Sequence, residues 1–321
     1  SKKTKTTIEI PKEETTVESS EEAESSEQVE DIVASAIESI DLNEKNLVQM
    51  YESLSKVAEE KDNTIVKISA VTTDTDWFNN TLQNESSCSG IIIAKSGDSL
   101  IVLAPNMEKE GGIKVGFYDG SNQEATVIGS DQLTNLMILS VDISSMEEKI
   151  KSIEPVVLGN SYQLKKGAFI LAVGSPVGVS RSIDIGNITA IDKNASFFDG
   201  YGRVIYCDKH LDSIGTFLID TSGNLVGVVS NLDDSSSISM AYGISDLKVM
   251  IENMTNGVGS AYLGVRALDI DKDKAPEGMP SGIYVSEVRA DSPAYNIGIQ
   301  SGDIISMIGS EEVNSITGFK N

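Results

Sequence analysis

Between residues 64 and 240 the chain is written as short β-rich runs broken at near-regular intervals by turn chemistry, and this pattern restricts the fold more than any other feature. The runs lie at 65–71, 91–94, 100–103, 113–117, 125–128, 136–139, 169–173, 183–191 and 225–229. They are separated by segments such as Lys95-Ser96-Gly97-Asp98, Tyr118-Asp119-Gly120-Ser121 and Asp220-Thr221-Ser222-Gly223-Asn224, whose glycines and short polar side chains accept the backbone angles of tight turns. Parallel strands need a long crossover, usually helical, and almost no helical period separates these runs. Antiparallel barrels are therefore the expected architecture.

The flanks read differently. Residues 1–40 are dominated by Ser, Thr, Glu and Lys, as in Glu13-Glu14-Thr15-Thr16-Val17-Glu18, and carry too little apolar surface to offset the entropy of ordering them. They are expected to form a disordered acidic tether. From Leu42 to Lys61, apolar residues at Leu47, Val48, Tyr51, Leu54 and Val57 fall on one face of a helix opened by an Asp or Asn cap. A second helical pattern runs over 244–254 and is stopped by Asn256-Gly257. The last segment is again β-rich, with a short helix signalled by Ser292 as cap and Pro293 at the first helical position. The expected organisation is a tether (1–40), a barrel domain with a leading helix (41–258) and a small α+β domain (259–321).

A formal charge of −24 sets the chain against nucleic acid and anionic lipid, because phosphate would be repelled. No apolar run of about 18 residues is present to span a bilayer. The first residue is Ser1, so an upstream signal or anchor is an expectation that the sequence leaves open. Cys88 and Cys207 lack metal-type spacing; one disulfide between them, or two separate buried thiols, are the alternatives. Asp269, Asp271 and Asp273 alternate as in a calcium loop but lack its glycine and distant glutamate, so a solvated loop is expected and no metal or cofactor is.

Tyr262-Leu263-Gly264-Val265, Gly282-Ile283-Tyr284-Val285, Asp291-Ser292-Pro293-Ala294 and Gly298-Ile299-Gln300-Ser301-Gly302-Asp303 occur in the order that resembles a bacterial PDZ domain. The resemblance implies that Tyr262, Leu263, Gly264 and Val265 form a loop whose N–H groups receive the terminal carboxylate of a peptide, with the following strand pairing to it. A PDZ domain behind a barrel region resembles the HtrA/Deg family of trypsin-like serine proteases. Ser89-Gly90-Ile91-Ile92, Ala125-Thr126-Val127-Ile128-Gly129, Gly174-Ser175-Pro176-Val177-Gly178, Gly186-Asn187-Ile188-Thr189 and Gly223-Asn224-Leu225-Val226-Gly227 look like that family's strands in their usual order. Two trypsin-like β-barrels are the implied fold.

The catalytic positions depart from the family pattern. Where the family has its histidine base, the matching stretch Leu103-Ala104-Pro105-Asn106 places Asn106. Where it has its aspartate, Asn135-Leu136-Met137-Ile138 places Asn135. Counting back from Gly223 puts Ile214 at the nucleophile; sliding by one puts Ser213 there but sets Ile214 where a glycine normally shapes the oxyanion hole. A neutral amide cannot take a serine proton and return it. The lone histidine, His210, is three residues from Ser213 and has no geometric template for serving it. The reading is a family member without an intact triad that binds peptides or unfolded segments. The alternatives are an active endopeptidase with a non-standard site and a structural surface protein. The resemblance further implies a Gram-positive cell exterior, a membrane anchor outside this chain and a homotrimer. Only residues 314–321 follow the Gly309-Ser310-Glu311-Glu312-Val313 turn, so the second wall of the peptide groove is expected to be short or truncated.

Overall fold

The structure is a computed structural model that describes residues 7–12, 44–75, 81–107, 112–209, 211, 215–229, 240–259, 261–270 and 280–316. The first barrel consists of β1 (Ile65–Thr75), β2 (Thr81–Ser96), β3 (Ser99–Pro105), β4 (Ile113–Gly116), β5 (Asn122–Asp131) and β6 (Leu136–Asp142). The second consists of β7 (Phe169–Gly174), β8 (Ser182–Phe197), β9 (Gly200–Cys207), β10 (Thr216–Ile219), β11 (Leu225–Val229) and β12 (Met240–Gly243). Each is closed and antiparallel, with neighbour orders β1-β2-β3-β6-β5-β4 and β7-β8-β9-β12-β11-β10. The same topology is thus used twice, and the expected barrel pair is present.

The apolar runs look continuous because both faces of the strands are buried. Successive strand residues point to opposite sides. Ile65 and Ile91 face the core between the barrels, whereas their neighbours Val66 and Ile92 face the interior of the first barrel. In the second barrel Leu171 faces the shared core and Ala172 the interior. Strands β9, β10 and β12 were not evident from pattern. Two are only four residues long, and their extended form comes from the pairing of β10 with β7 and β11 and of β12 with β9 and β11.

Helix α1 (Glu44–Lys61) precedes β1, but its expected apolar face is only partly used. Leu54 and Ala58 are buried and Val57 packs on the shared core, while Leu47, Val48 and Tyr51 remain exposed. The tether expectation also needs correction over residues 7–12. Ile10 is buried in the shared core, Leu158 N–H donates to the Pro11 carbonyl, and Lys12 pairs with Glu252 at 2.8 Å. Ile8 and Ile10 give this short stretch the apolar surface that the following acidic residues lack. Of the two cysteine alternatives, the structure shows separate thiols, Cys88 inside the first barrel and Cys207 inside the second. Two short or medium helices complete the barrel domain: α2 (Glu148–Lys151), and α3 (Ile244–Thr255), whose Ile244, Leu247, Ile251 and Met254 pack on the shared core.

The C-terminal region has a sheet β13 (Val265–Asp269), β14 (Ile283–Val288) and β15 (Ile304–Ile305), the helix α4 (Pro293–Asn296), and a hairpin β16 (Met307–Ile308) and β17 (Glu311–Glu312). Ser292 caps α4 by accepting from Tyr295 N–H, as its sequence suggested. Among the described residues β13 is an edge strand of this sheet, paired on one side with β14. The hairpin of β8 and β9 reaches beyond the second barrel and ends in the two-residue turn Phe198–Asp199, with Asp199 at a φ of 60°.

Candidate functional site

At the edge of the first barrel, β3 and β6 deliver Asn106 and Asn135 side by side. Pro105 pairs with Leu136, and the next rung is the Asn106 N–H donated to the Asn135 carbonyl at 2.8 Å. Asn135 is exposed and adopts a φ of 55°, a left-handed angle that Asn tolerates better than most residues. Asn106 Oδ1 is buried and has no hydrogen-bond partner among the described residues. The nearby turn carboxylate of Asp131 is engaged by the Thr134 N–H and hydroxyl, both at 2.7 Å. Neither amide can carry a transferable proton, so this edge offers hydrogen-bonding groups but no base.

Just ahead of β10, Gly215 packs against Ser89 of β2. Ser175 N–H donates to its carbonyl at 3.0 Å, and a Cβ at Gly215 would stand 2.4 Å from the Ser89 carbonyl oxygen. Ser89 Oγ in turn lies 2.6 Å from Ser175 Oγ and 3.2 Å from Ser180 Oγ. The two segments therefore pack backbone to backbone, which a side chain would prevent. His210, Asp212, Ser213 and Ile214 lie outside the described residues. Burial pushes the Cys88 thiol up to about 12, and burial, then the neighbouring Asp208 charge, does the same to Cys207. Neither is a thiolate nucleophile near neutral pH.

The second site is the loop ahead of β13. Gly264 has a φ of +85°, and a Cβ there would fall 2.3 Å from Ser292 Cβ, so glycine is required by angle and by space. Its conformation turns successive N–H groups to one side, the arrangement of an anion-binding nest. Those groups converge on one carboxylate, that of Asp199. Leu263 N–H donates to Asp199 Oδ2 at 2.7 Å, Gly264 N–H to both oxygens at 2.9 Å, and Val265 N–H to Oδ1 at 2.9 Å. Asp199 N–H returns a bond to the Val265 carbonyl at 2.7 Å, and the Arg266 guanidinium lies over the Phe198 ring at 5.1 Å. Tyr262 flanks the loop and is partly exposed. Sequence reasoning reached the loop but not Asp199. Its only signal is an aromatic pair, Phe197-Phe198, set against Asp199-Gly200 at a hairpin tip, where a polar tip is usual.

Among the described residues no group of three or more His, Cys, Asp or Glu side chains could hold a metal ion. Asp271 and Asp273 of the alternating acidic loop lie outside the described residues, and Asp269 accepts from Ile316 N–H at 2.7 Å. Among the described residues no helix is long and apolar enough to cross a membrane.

Two domain models match this chain. The model of the trypsin-like peptidase domain matches residues 88–228, and that of the PDZ domain matches residues 284–320. The chain is 28% identical over 258 residues to the serine protease Do-like HtrA of Bacillus subtilis (strain 168), covering 73% of this chain and 56% of that protein. It is 30% identical over 236 residues to a probable periplasmic serine endoprotease DegP-like of Pseudomonas savastanoi pv. phaseolicola (strain 1448A / Race 6), covering 70% and 47%. The chain thus spans about half the length of the curated relatives it matches. Among solved structures, the HtrA-type protease AlgW with decapeptide superposes with a TM-score of 0.59 at 22% identity, covering 83% of this chain and 89% of that one. At that identity the likeness speaks for the fold.

Proposed function

We propose that this chain, whose trypsin-like peptidase domain and PDZ domain put it in the HtrA/Deg family, has kept that family's peptide-binding surfaces and lost its hydrolytic chemistry. The carrying observation is the rung between β3 and β6. The two positions that match the family's base and its orienting carboxylate are Asn106 and Asn135, joined here through backbone atoms. A serine becomes a nucleophile only when a neighbouring base accepts its proton, and an amide has no basicity to offer near neutral pH. Loss of one triad member removes several orders of magnitude in rate, and here both partners of the serine are changed.

What remains is binding. Three consecutive N–H groups at Leu263, Gly264 and Val265 already hold a carboxylate, the chemistry needed to grip the end of a polypeptide, and the edge of β13 beyond Val265 can take an added strand. The substrate class is the C-terminal or extended segments of unfolded polypeptides. The setting is the exterior or envelope of a bacterial cell, supported by relatives whose names place them in the periplasm.

Incubated with casein, the purified chain is expected to leave it uncleaved over hours. A Ser213→Ala variant should be indistinguishable from the parent in the same gel assay. Cleavage that disappears in Ser213→Ala would reverse the proposal.

A further inference from the structure

The loop that would receive a peptide's terminal carboxylate is occupied by the chain itself. Asp199 supplies both groups that the last residue of a bound peptide would supply: a carboxylate shared among the N–H groups of Leu263, Gly264 and Val265, and an N–H donated to the Val265 carbonyl. The donor and acceptor being paired on Val265 is the start of a strand added to the β13 edge. The bonds are short and charge-assisted, 2.7–2.9 Å, where neutral contacts of the same kind are weaker. The turn is shaped for this end: Asp199 sits at a φ of 60°, an angle that aspartate accepts more readily than most side chains, and Phe198 beside it is covered by Arg266.

We propose that Asp199 is an internal ligand of this loop, so that an incoming carboxylate must displace the tip of the β8–β9 hairpin to bind. The proposal rests on the peptide-capture reading and adds its regulation. A competitor tethered within one chain acts at an effective concentration of about a millimolar. If its own dissociation constant is on the order of 100 μM, it weakens an external ligand by about tenfold.

The test uses the full chain, its Asp199→Asn variant, which keeps the size of the side chain, and its Asp199→Gly variant, which keeps the turn. Binding is read by fluorescence anisotropy with a fluorescein-labelled pool of decapeptides randomised over the last four residues, made with a free terminal carboxylate and, separately, as the amide. Hydrogen exchange of the Leu263, Gly264 and Val265 amides is followed by NMR without peptide. The expected result is about tenfold tighter binding of the carboxylate pool to both variants, little change for the amide pool, and faster exchange at the three amides. Equal affinity of the carboxylate pool for all three proteins would overturn the competition, and equal exchange would overturn the contact. Faster exchange in the variants with no carboxylate binding to any protein would instead sink the peptide-capture reading while leaving the Asp199 contact standing.

Discussion

Alanine at Gly174 is expected to destabilise the protein by about 3–6 kcal/mol, a large share of a typical domain's stability. Gly174 has a φ of +100°, and a Cβ there would lie 2.2 Å from the Gly215 carbonyl oxygen, with the Phe217 ring at 3.2 Å. The first obstacle is backbone, so no rotamer change relieves it, and relief requires pulling β7 away from the segment entering β10. Gly167 provides the control. Its φ is +85°, but nothing lies within 4 Å of a Cβ placed there, so Gly167→Ala should show the conformational cost alone, about 1 kcal/mol. Urea unfolding of the two variants separates these effects. Equal midpoints would mean that the close approach of Gly174 and Gly215 is not present in solution.

Truncation of Phe217 should cost about 3–5 kcal/mol, the range for emptying a large buried aromatic site. Phe217 is fully buried in the core shared by the two barrels, among residues contributed by β1, β2 and β3 on one side and β7, β10 and β11 on the other. The cavity left by Phe217→Ala would weaken the joint between the barrels as well as the second barrel itself. Val177→Ala, at a side chain 61% exposed, should stay within about 0.5 kcal/mol. A Phe217→Ala midpoint indistinguishable from that of Val177→Ala would contradict the description of a single interbarrel core.

The barrels were legible because runs such as Ile91-Ile92-Ile93-Ala94 are buried on both faces, leaving an unbroken apolar signal between turn residues. Short strands were not: Thr216–Ile219 and Met240–Gly243 are too brief to carry a period and are extended because neighbours pair on each side. Asn106 and Asn135 could be placed because each stands at a fixed step from a readable strand. Asp199 could not, since the N–H groups it satisfies lie 64–66 residues further along the chain, and the aromatic pair beside it marks an unusual hairpin tip without saying what the tip meets. The exposed Leu47, Val48 and Tyr51 show the converse, a helical stripe that predicts amphipathicity without saying what covers it. The same holds for Ile8 and Ile10, whose packing partners are remote in sequence.

The central claim is that no serine here is activated, and it is met most directly by exposing the full chain to a fluorophosphonate probe and measuring intact mass, with trypsin labelled in parallel. The expected spectrum shows the unmodified mass under conditions that label trypsin completely. A single probe adduct mapped to Ser213 would contradict the account, because it would require a base that Asn106 cannot supply.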